Sequence, residues 1–275
     1  MNHKRSFNKI IFNTVKLLLA LYALAGILLW TFQDRLIFQA TQLPANYQFD
    51  FKEPHRELLI PVTEKEKLSI VQFYPTDTTH TKGVVLYFHG NRENITHYAK
   101  FAPLFTKHGY EIWMMDYPGY GKSTGTVKEK RLYADALLLY KMAIRQTTKD
   151  NILIYGKSLG TGVASELASH EPCKQLILET PYYSFPSLAA QRFPVYPAAT
   201  MVRYHFPVYE YLQQVKVPIT IFHGTEDEVI PYTNSEKLKK VLKTGDVFIT
   251  INNGKHNNLS EFSEYLQKMD SLLRL

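Results

Sequence analysis

Hydrophobic and polar positions along the chain fall into three kinds of block. The first is apolar on every face: "IIFNTVKLLLALYALAGILLWTF", residues 10–32, follows the basic stretch "MNHKRSFNK". As a helix it is about 23 residues and roughly 34 Å long, enough to cross a bilayer with Lys16 snorkelling near one end. The cleaner run 17–32 is about 16 residues, roughly 24 Å, slightly short of the hydrocarbon core. The second kind is short and rich in β-branched residues. "ELLIPVT" and "KLSIVQFYP" flank the charged turn "EKE" and predict an antiparallel hairpin. "GVVLYFHG", "YEIWMMD", "NILIY", "KQLILET", "VPITIFHG" and "DVFITINN" predict buried strands. The third kind has a helical period. It covers "THYAKFAPLFTKHG" (closed by Gly109), 128–145, "LGTGVASELASH", 235–242 and 259–273. Strands alternating with helices predict an α/β fold with a mostly parallel sheet covered on both faces. Reactive groups in such sheets collect beyond the carboxyl ends of the strands. One segment, 181–215, breaks the rhythm with prolines and aromatics and no strand pattern; it is expected to be a cap over the sheet.

The remaining boundaries follow: a basic tail at 1–9, a transmembrane anchor at 10–32, a linker at 33–54 and a globular domain at 55–275. A cleaved signal peptide is the rival for the first apolar run, since Ala23-Leu24-Ala25 resembles a cleavage site. The apolar "GILLWTF" that follows favours an uncleaved anchor. Lys4, Arg5, Lys9 and Lys16 precede the apolar core, whereas Asp34 and Arg35 nearly cancel after it. The positive-inside bias then predicts a single-pass membrane protein with a cytoplasmic N-terminus. The globular domain lies on the other side, with Trp30 and Phe32 at the far interface.

Net charge is +7, but part of it sits in the tail and the rest is interspersed with acids, so no basic stripe points to nucleic acid. The single cysteine, Cys173, excludes an intrachain disulfide and a CxxC metal or redox site, and is expected to pack as a small hydrophobe.

Two stretches compete for the chemistry. "YGKSLGTG" and "YGKSTGTV" both fit G-x-S-x-G and both contain Gly-Lys-Ser. A phosphate loop needs a glycine five residues before the Gly-Lys pair, and those positions are Asn151 and Asp116. A nucleophile elbow instead needs a strand before the serine and a helix after it. Ser158 has both, in "NILIY" and "LGTGVASELASH"; Ser123 sits in the glycine-rich loop "DYPGYGKSTG". Ser158 is therefore the candidate nucleophile and Ser123 a loop serine.

A serine hydroxyl needs a base, and the base needs an acid to hold it. "IFHGTEDEVIP" offers Glu226, Asp227 and Glu228 just after a strand, and "INNGKHNNL" offers His256 after the last strand. Glu179, at another strand end, is a rival acid.

The ordered motifs "YFHGN", "DYPGYGKSTG", "YGKSLG", "HGTEDEVIP" and "GKHN" make residues 55–275 resemble an α/β-hydrolase. The similarity is to the membrane-anchored branch that includes protein depalmitoylases. The resemblance implies Asp227 as the acid and the backbone N–H groups of Asn91 and Leu159 as the oxyanion hole, with no cofactor or metal. A carboxylic ester or thioester is the expected substrate, because a membrane anchor places the site near lipid or acylated partners; a peptidase and a non-catalytic binding protein are the alternatives. The expected partners are a small-molecule or acylated substrate and the membrane, not nucleic acid. His89 and His223 are expected to shape strand-end turns, Lys157 to be a polar spacer, and His205 to be a surface or packing residue. Tyr182, Tyr183, Phe185, Phe193 and Tyr196 either line an acyl pocket or pack the cap, and the sequence leaves both open.

Overall fold

The structure is a computed structural model that describes residues 2–77 and 81–274, with side chains from residue 7 onward. Of the basic tail, the side chains of Lys4 and Arg5 lie outside the described residues.

The strands are β1 (Gln39–Ala40), β2 (His55–Pro61), β3 (Lys67–Phe73), β4 (Gly83–Phe88), β5 (Arg92–Glu93), β6 (Tyr110–Met115), β7 (Ile152–Lys157), β8 (Gln175–Glu179), β9 (Ile219–Gly224) and β10 (Val247–Ile251). The helices are α1 (Asn2–Ile37), α2 (Ile95–Tyr98), α3 (Ala102–Thr106), α4 (Glu129–Ala143), α5 (Gly160–His170), α6 (Phe185–Arg192), α7 (Ala198–Met201), α8 (Val208–Leu212), α9 (Tyr232–Ser235) and α10 (Ser263–Arg274).

Eight strands form one sheet in the order β10-β9-β8-β7-β4-β6-β3-β2. Pairing is parallel from β10 to β6, and antiparallel where the expected hairpin β2–β3 joins β6. Side chains of successive strand residues point to opposite faces, and both faces are covered. Val84, Leu86, Ile152 and Ile154 pack with Leu132 and Leu139 of α4 and Val163 and Leu167 of α5. Val85, Tyr87, Leu153 and Tyr155 pack with Phe105 of α3 and Tyr265 and Met269 of α10. This is the predicted doubly covered α/β sheet. Cys173 is buried, and burial pushes its thiol up to about 12.

Two predicted helices are interrupted. The one after β4 divides into α2, a 3₁₀ turn at Ala99–Phe101 and α3, with Pro103 at the start of the last piece, where it cannot donate to the preceding turn. Between β9 and β10 the expected helix is only α9 and a 3₁₀ segment, Glu236–Val241. Leu238 and Val241, three residues apart, both pack on the core, which suits the three-residue turn.

α1 is far longer than the apolar run. Within Phe7–Ile37 an 18-residue window has a mean hydropathy of 2.0 and is only 6% buried, a length and composition shared by spanning helices and signal sequences. Its second half is not free. Tyr22 stacks on Tyr196 (ring centroids 4.5 Å apart) and donates its hydroxyl to the carbonyl of Val195 at 2.8 Å. Gln33 accepts from the amide of Arg203 (2.7 Å), and Asp34 accepts from the Tyr204 hydroxyl (2.9 Å). Residues 181–215, which hold α6, α7 and α8 and no strand, thus dock on α1 as well as on the sheet.

Candidate active site

β7 ends in the middle of the sheet, and the chain reverses sharply at Ser158 before α5 begins. Ser158 adopts φ +52°, a left-handed conformation that costs a residue with a Cβ about 1–3 kcal/mol. It is held by its own amide donating to Glu179 O (2.9 Å) and by the Thr161 hydroxyl donating to Ser158 O (2.6 Å). Glycine is required on both sides. A Cβ on Gly156 would lie 2.5 Å from Gly160 O, and one on Gly160 would lie 2.0 Å from Phe88 O.

The loops after β9 and β10 meet beside this turn, tied by the Glu226 amide donating to Gly254 O at 2.9 Å. His256 places Nε2 2.9 Å from Ser158 Oγ and Nδ1 2.8 Å from Asp227 Oδ2. All three residues are buried. Asp227 Oδ1 accepts from the amides of Val229 (2.9 Å) and Ile230 (2.7 Å), so both carboxylate oxygens are occupied. Burial opposes ionisation of Asp227. The hydrogen bond and charge of His256, with His223 and the Ile230 amide, outweigh it and hold the pKa below its ordinary 3.8. With Nδ1–H donated to a carboxylate, Nε2 is left to accept from the serine hydroxyl.

His223 sits behind the acid, donating Nε2–H to Ile230 O at 2.9 Å, with Nε2 3.4 Å from Asp227 Oδ2. Burial lowers its pKa below the ordinary imidazole value of 6.5, against the pull of Asp227. His89 is bonded through Nδ1 to Gly90 O (2.7 Å), inside the turn that leads to Asn91. His205 is exposed.

A Cβ added to Gly90 would stand 3.6 Å from Ser158 Cβ, so the loop carrying Asn91 runs directly over the serine. Among the described residues, neither the Asn91 nor the Leu159 amide has a hydrogen-bond acceptor. Leu159 precedes the first turn of α5, whose N-terminal partial positive charge faces the same place.

A strap that the sequence reading missed supports this loop. The Asn91 side chain donates to Ile37 O at 2.6 Å, the Gln39 amide donates to Asn91 O at 2.9 Å, and β1 pairs in parallel with β5. The Tyr120 hydroxyl donates to Asn91 O at 2.7 Å, which brings the "DYPGYG" loop under the same support. In that loop Ser123 is buried and spent: its Oγ accepts from the Ser69 amide (2.8 Å) and donates to Asp116 O (2.6 Å).

Glu179 does not approach His256. It is ion-paired with Lys157 and accepts from the Tyr155 and Tyr265 hydroxyls, all buried. Burial opposes its ionisation, but Lys157 and the two hydroxyls outweigh it and lower its pKa. Lys157 also reaches His256 O at 3.4 Å, so the expected spacer is a brace between elbow and histidine loop. Its partner lies on the adjacent strand, which no local pattern reveals. The five cap aromatics divide. Tyr182 and Phe185 pack against Phe206 and Tyr183 stacks on Tyr209, whereas Phe193 and Tyr196 line a groove beside α1.

A serine–imidazole–carboxylate relay at the carboxyl end of a mostly parallel sheet defines the class: the chain belongs to the α/β-hydrolase superfamily. The family described as serine aminopeptidase, S33, matches residues 79–209. Within the superfamily the chain is similar to alpha/beta hydrolase domain-containing protein 17C of Xenopus tropicalis, at 32% identity over 195 residues, 69% of this chain and 61% of that protein. It is also similar to alpha/beta hydrolase domain-containing protein aho-3 of Caenorhabditis elegans, at 28% identity over 214 residues, 76% of this chain and 62% of that protein. The chain thus matches about three fifths of the length of these relatives. An esterase of Pyrococcus furiosus shares the fold, with TM-score 0.65 and 17% identity, covering 86% of this chain and 97% of that one. So does an alpha-beta hydrolase of Vibrio vulnificus, with TM-score 0.65 and 21% identity, covering 79% of this chain and 80% of that one.

Proposed function

We propose that the protein is a membrane-anchored serine hydrolase that cleaves a carboxylic ester or thioester through Ser158, His256 and Asp227. The observation that carries this reading is the unbroken relay from Ser158 Oγ through His256 to Asp227, at 2.9 and 2.8 Å. His256 Nε2 takes the hydroxyl proton as Ser158 Oγ attacks the carbonyl carbon. The oxyanion that forms accepts from the amides of Asn91 and Leu159, each donor worth about 3–4 kcal/mol. His256 then protonates the departing alkoxide or thiolate, leaving an acyl-serine. Water, deprotonated by His256, attacks that ester, and the acid leaves as Ser158 regains its proton. Asp227 stays ionised throughout and stabilises the imidazolium.

Anchoring through α1, with the N-terminus cytoplasmic, rests on the apolar run and the lysines before it. An aminopeptidase is the second reading, favoured by the description of the matching family. The deciding experiment is fluorophosphonate labelling, followed by parallel panels of p-nitrophenyl esters, acyl thioesters and aminoacyl amides. Labelling abolished by Ser158→Ala and turnover confined to esters and thioesters is expected. Faster turnover of the amides would replace the esterase reading with the peptidase one, and absence of labelling would overturn both.

A further inference from the structure

The cap is fastened to α1 at two levels. At the carboxyl end of the helix the ties are polar: Gln33 accepts from the Arg203 amide and Asp34 from the Tyr204 hydroxyl. The Arg203 guanidinium donates to Trp30 O at 2.8 Å and lies 5.4 Å from the centre of the Trp30 ring. Toward the N-terminus by about 11 residues, or roughly 16 Å of helix, Tyr22 stacks on Tyr196. There the Tyr22 hydroxyl donates to Val195 O (2.8 Å) and the Tyr196 hydroxyl donates to Tyr22 O (3.0 Å). Gly26 lets the cap seat closely, since a Cβ added to it would stand 3.1 Å from Tyr196 Cε1.

The second tie constrains how the chain can meet a bilayer. The apolar run of α1 is residues 10–32, and the cap reaches it near its middle, at Tyr22. Were the cap to stay in water, only residues 10–21 could lie in hydrocarbon. That is about 12 residues, or roughly 18 Å, against ~30 Å for the core. A helix held this way crosses the bilayer only if the cap enters the near leaflet with it. The roughly 16 Å between the two ties matches the ~15 Å depth of one leaflet.

The cap segment at that depth suits hydrocarbon. Residues 193–202 carry no charged side chain, and Arg192 and Arg203 close the segment at either end. Val195 is 71% exposed, more than any other large hydrophobic side chain among the described residues, and Phe193 is exposed beside it. A hydroxyl is costly in lipid unless it is bonded within the protein. Both hydroxyls of the segment are so bonded, Tyr196 to Tyr22 O and Thr200 to Pro197 O (2.9 Å). Pro194 and Pro197 bring no amide N–H to satisfy. Arg192 is turned to the domain, where its guanidinium donates to the carbonyls of Glu228 and Val229.

We propose that residues 193–202 of the cap insert beside α1 into the leaflet on the domain's side, so that two elements hold the domain to the membrane. The proposal rests on the reading of α1 as a spanning anchor. Trp30, Arg192 and Arg203 then lie at the level of the headgroups, where indole and guanidinium groups are at home.

The test reconstitutes the full-length protein in phosphatidylcholine vesicles with plain or brominated acyl chains, since bromine quenches indole emission on contact. Trp30→Phe is the background, leaving Trp113, which is fully buried in the domain. Val195→Trp in that background replaces an exposed side chain, and a retained urea midpoint shows that it folds. Its added emission should be quenched by the brominated lipid about as strongly as that of Leu24→Trp, at an exposed position on α1. Phe193→Trp, an aromatic for an aromatic, should be quenched too. Lys65→Trp, in the exposed turn between β2 and β3, should be unaffected. Quenching at Leu24 with none at Val195 and Phe193 would overturn the proposal while leaving α1 in lipid. Quenching at none of the three would overturn the anchor reading and the proposal with it. A second copy covering the segment would also leave Val195→Trp unquenched, and the detergent-solubilised protein would then sediment as a dimer.

Discussion

Lys157 and Glu179 form an ion pair buried beneath the Ser158 turn, on neighbouring strands β7 and β8. The pair stands one residue from Ser158 on one side and touches the histidine loop through Lys157 on the other. Removing one partner leaves the other charge buried and unpaired. Lys157→Met is therefore expected to destabilise the fold by about 3–5 kcal/mol, and Lys157→Met with Glu179→Leu by less. Urea unfolding of the two variants measures this; equal losses would show that the pair is not coupled.

The two G-x-S-x-G serines should separate cleanly. Ser158→Ala is expected to abolish labelling and lower ester turnover by roughly 10⁶. Ser123→Ala removes one hydrogen bond to the Ser69 amide and one to Asp116 O, so it should keep labelling while destabilising by about 1–3 kcal/mol. Labelling lost with Ser123 and kept without Ser158 would reverse the assignment.

The acids should separate as well. Asp227→Asn should cost about 10⁴ in kcat, because the imidazole loses both its tautomer and its counter-charge. Glu179→Gln, which touches neither Ser158 Oγ nor the imidazole ring, should cost far less in kcat per folded molecule. A crippling effect of Glu179→Gln in a folded sample would refute this division.

Stability should fall in two stages on acidification. His223 is buried and its folded pKa is lowered, so the unfolded chain takes up its proton first. Stability should then decline as pH drops below the ordinary imidazole value of 6.5. Asp227 also has a lowered folded pKa; its contribution is complete above the ordinary 3.8 and is lost as pH falls through the folded value. His223→Gln, which keeps a donor toward Ile230 O, should flatten the upper stage alone. Midpoints of urea unfolding between pH 8 and pH 3 give the profile, and an unchanged upper stage in His223→Gln would remove His223 as its cause.

Removing parts of the N-terminal segment should have unequal effects. A chain starting at Gln33 keeps the strap of Ile37 and Gln39 on Asn91 and should hydrolyse a short ester about as well as the full chain. A chain starting at Asn46 loses that strap. With the Asn91 loop unsupported, it should lose about 10²–10³ in kcat if the Asn91 amide serves the oxyanion as proposed. The full-length protein should stay in the membrane fraction after carbonate washing. Recovery in the soluble fraction with an N-terminus near Gly26 would indicate a cleaved signal peptide.

The strand and helix pattern was legible because β3, β4 and β6 to β9 are buried on both faces and read as continuous apolar runs, while α4 and α10 each bury one stripe and show a helical period. Ser158, Asp227 and His256 were legible because each follows a strand in a motif with fixed spacing. Lys157 was misread because its partner is a strand away. The docking of Tyr196 on Tyr22 was missed because the two lie far apart in the chain and neither belongs to a periodic pattern. The strap was missed because backbone groups of residues 37–43 make most of it, and backbone groups leave no signature in side-chain chemistry.

The buried Cys173 has a practical consequence for topology. With its thiol pushed up to about 12, almost none of it is thiolate at neutral pH, and the thiolate is the form that reacts with maleimides. The chain has no other cysteine, so the native protein is close to silent toward such reagents. A single cysteine placed near Phe7 or at exposed Lys65 would then report on which side of a sealed vesicle it sits, without first removing a native thiol.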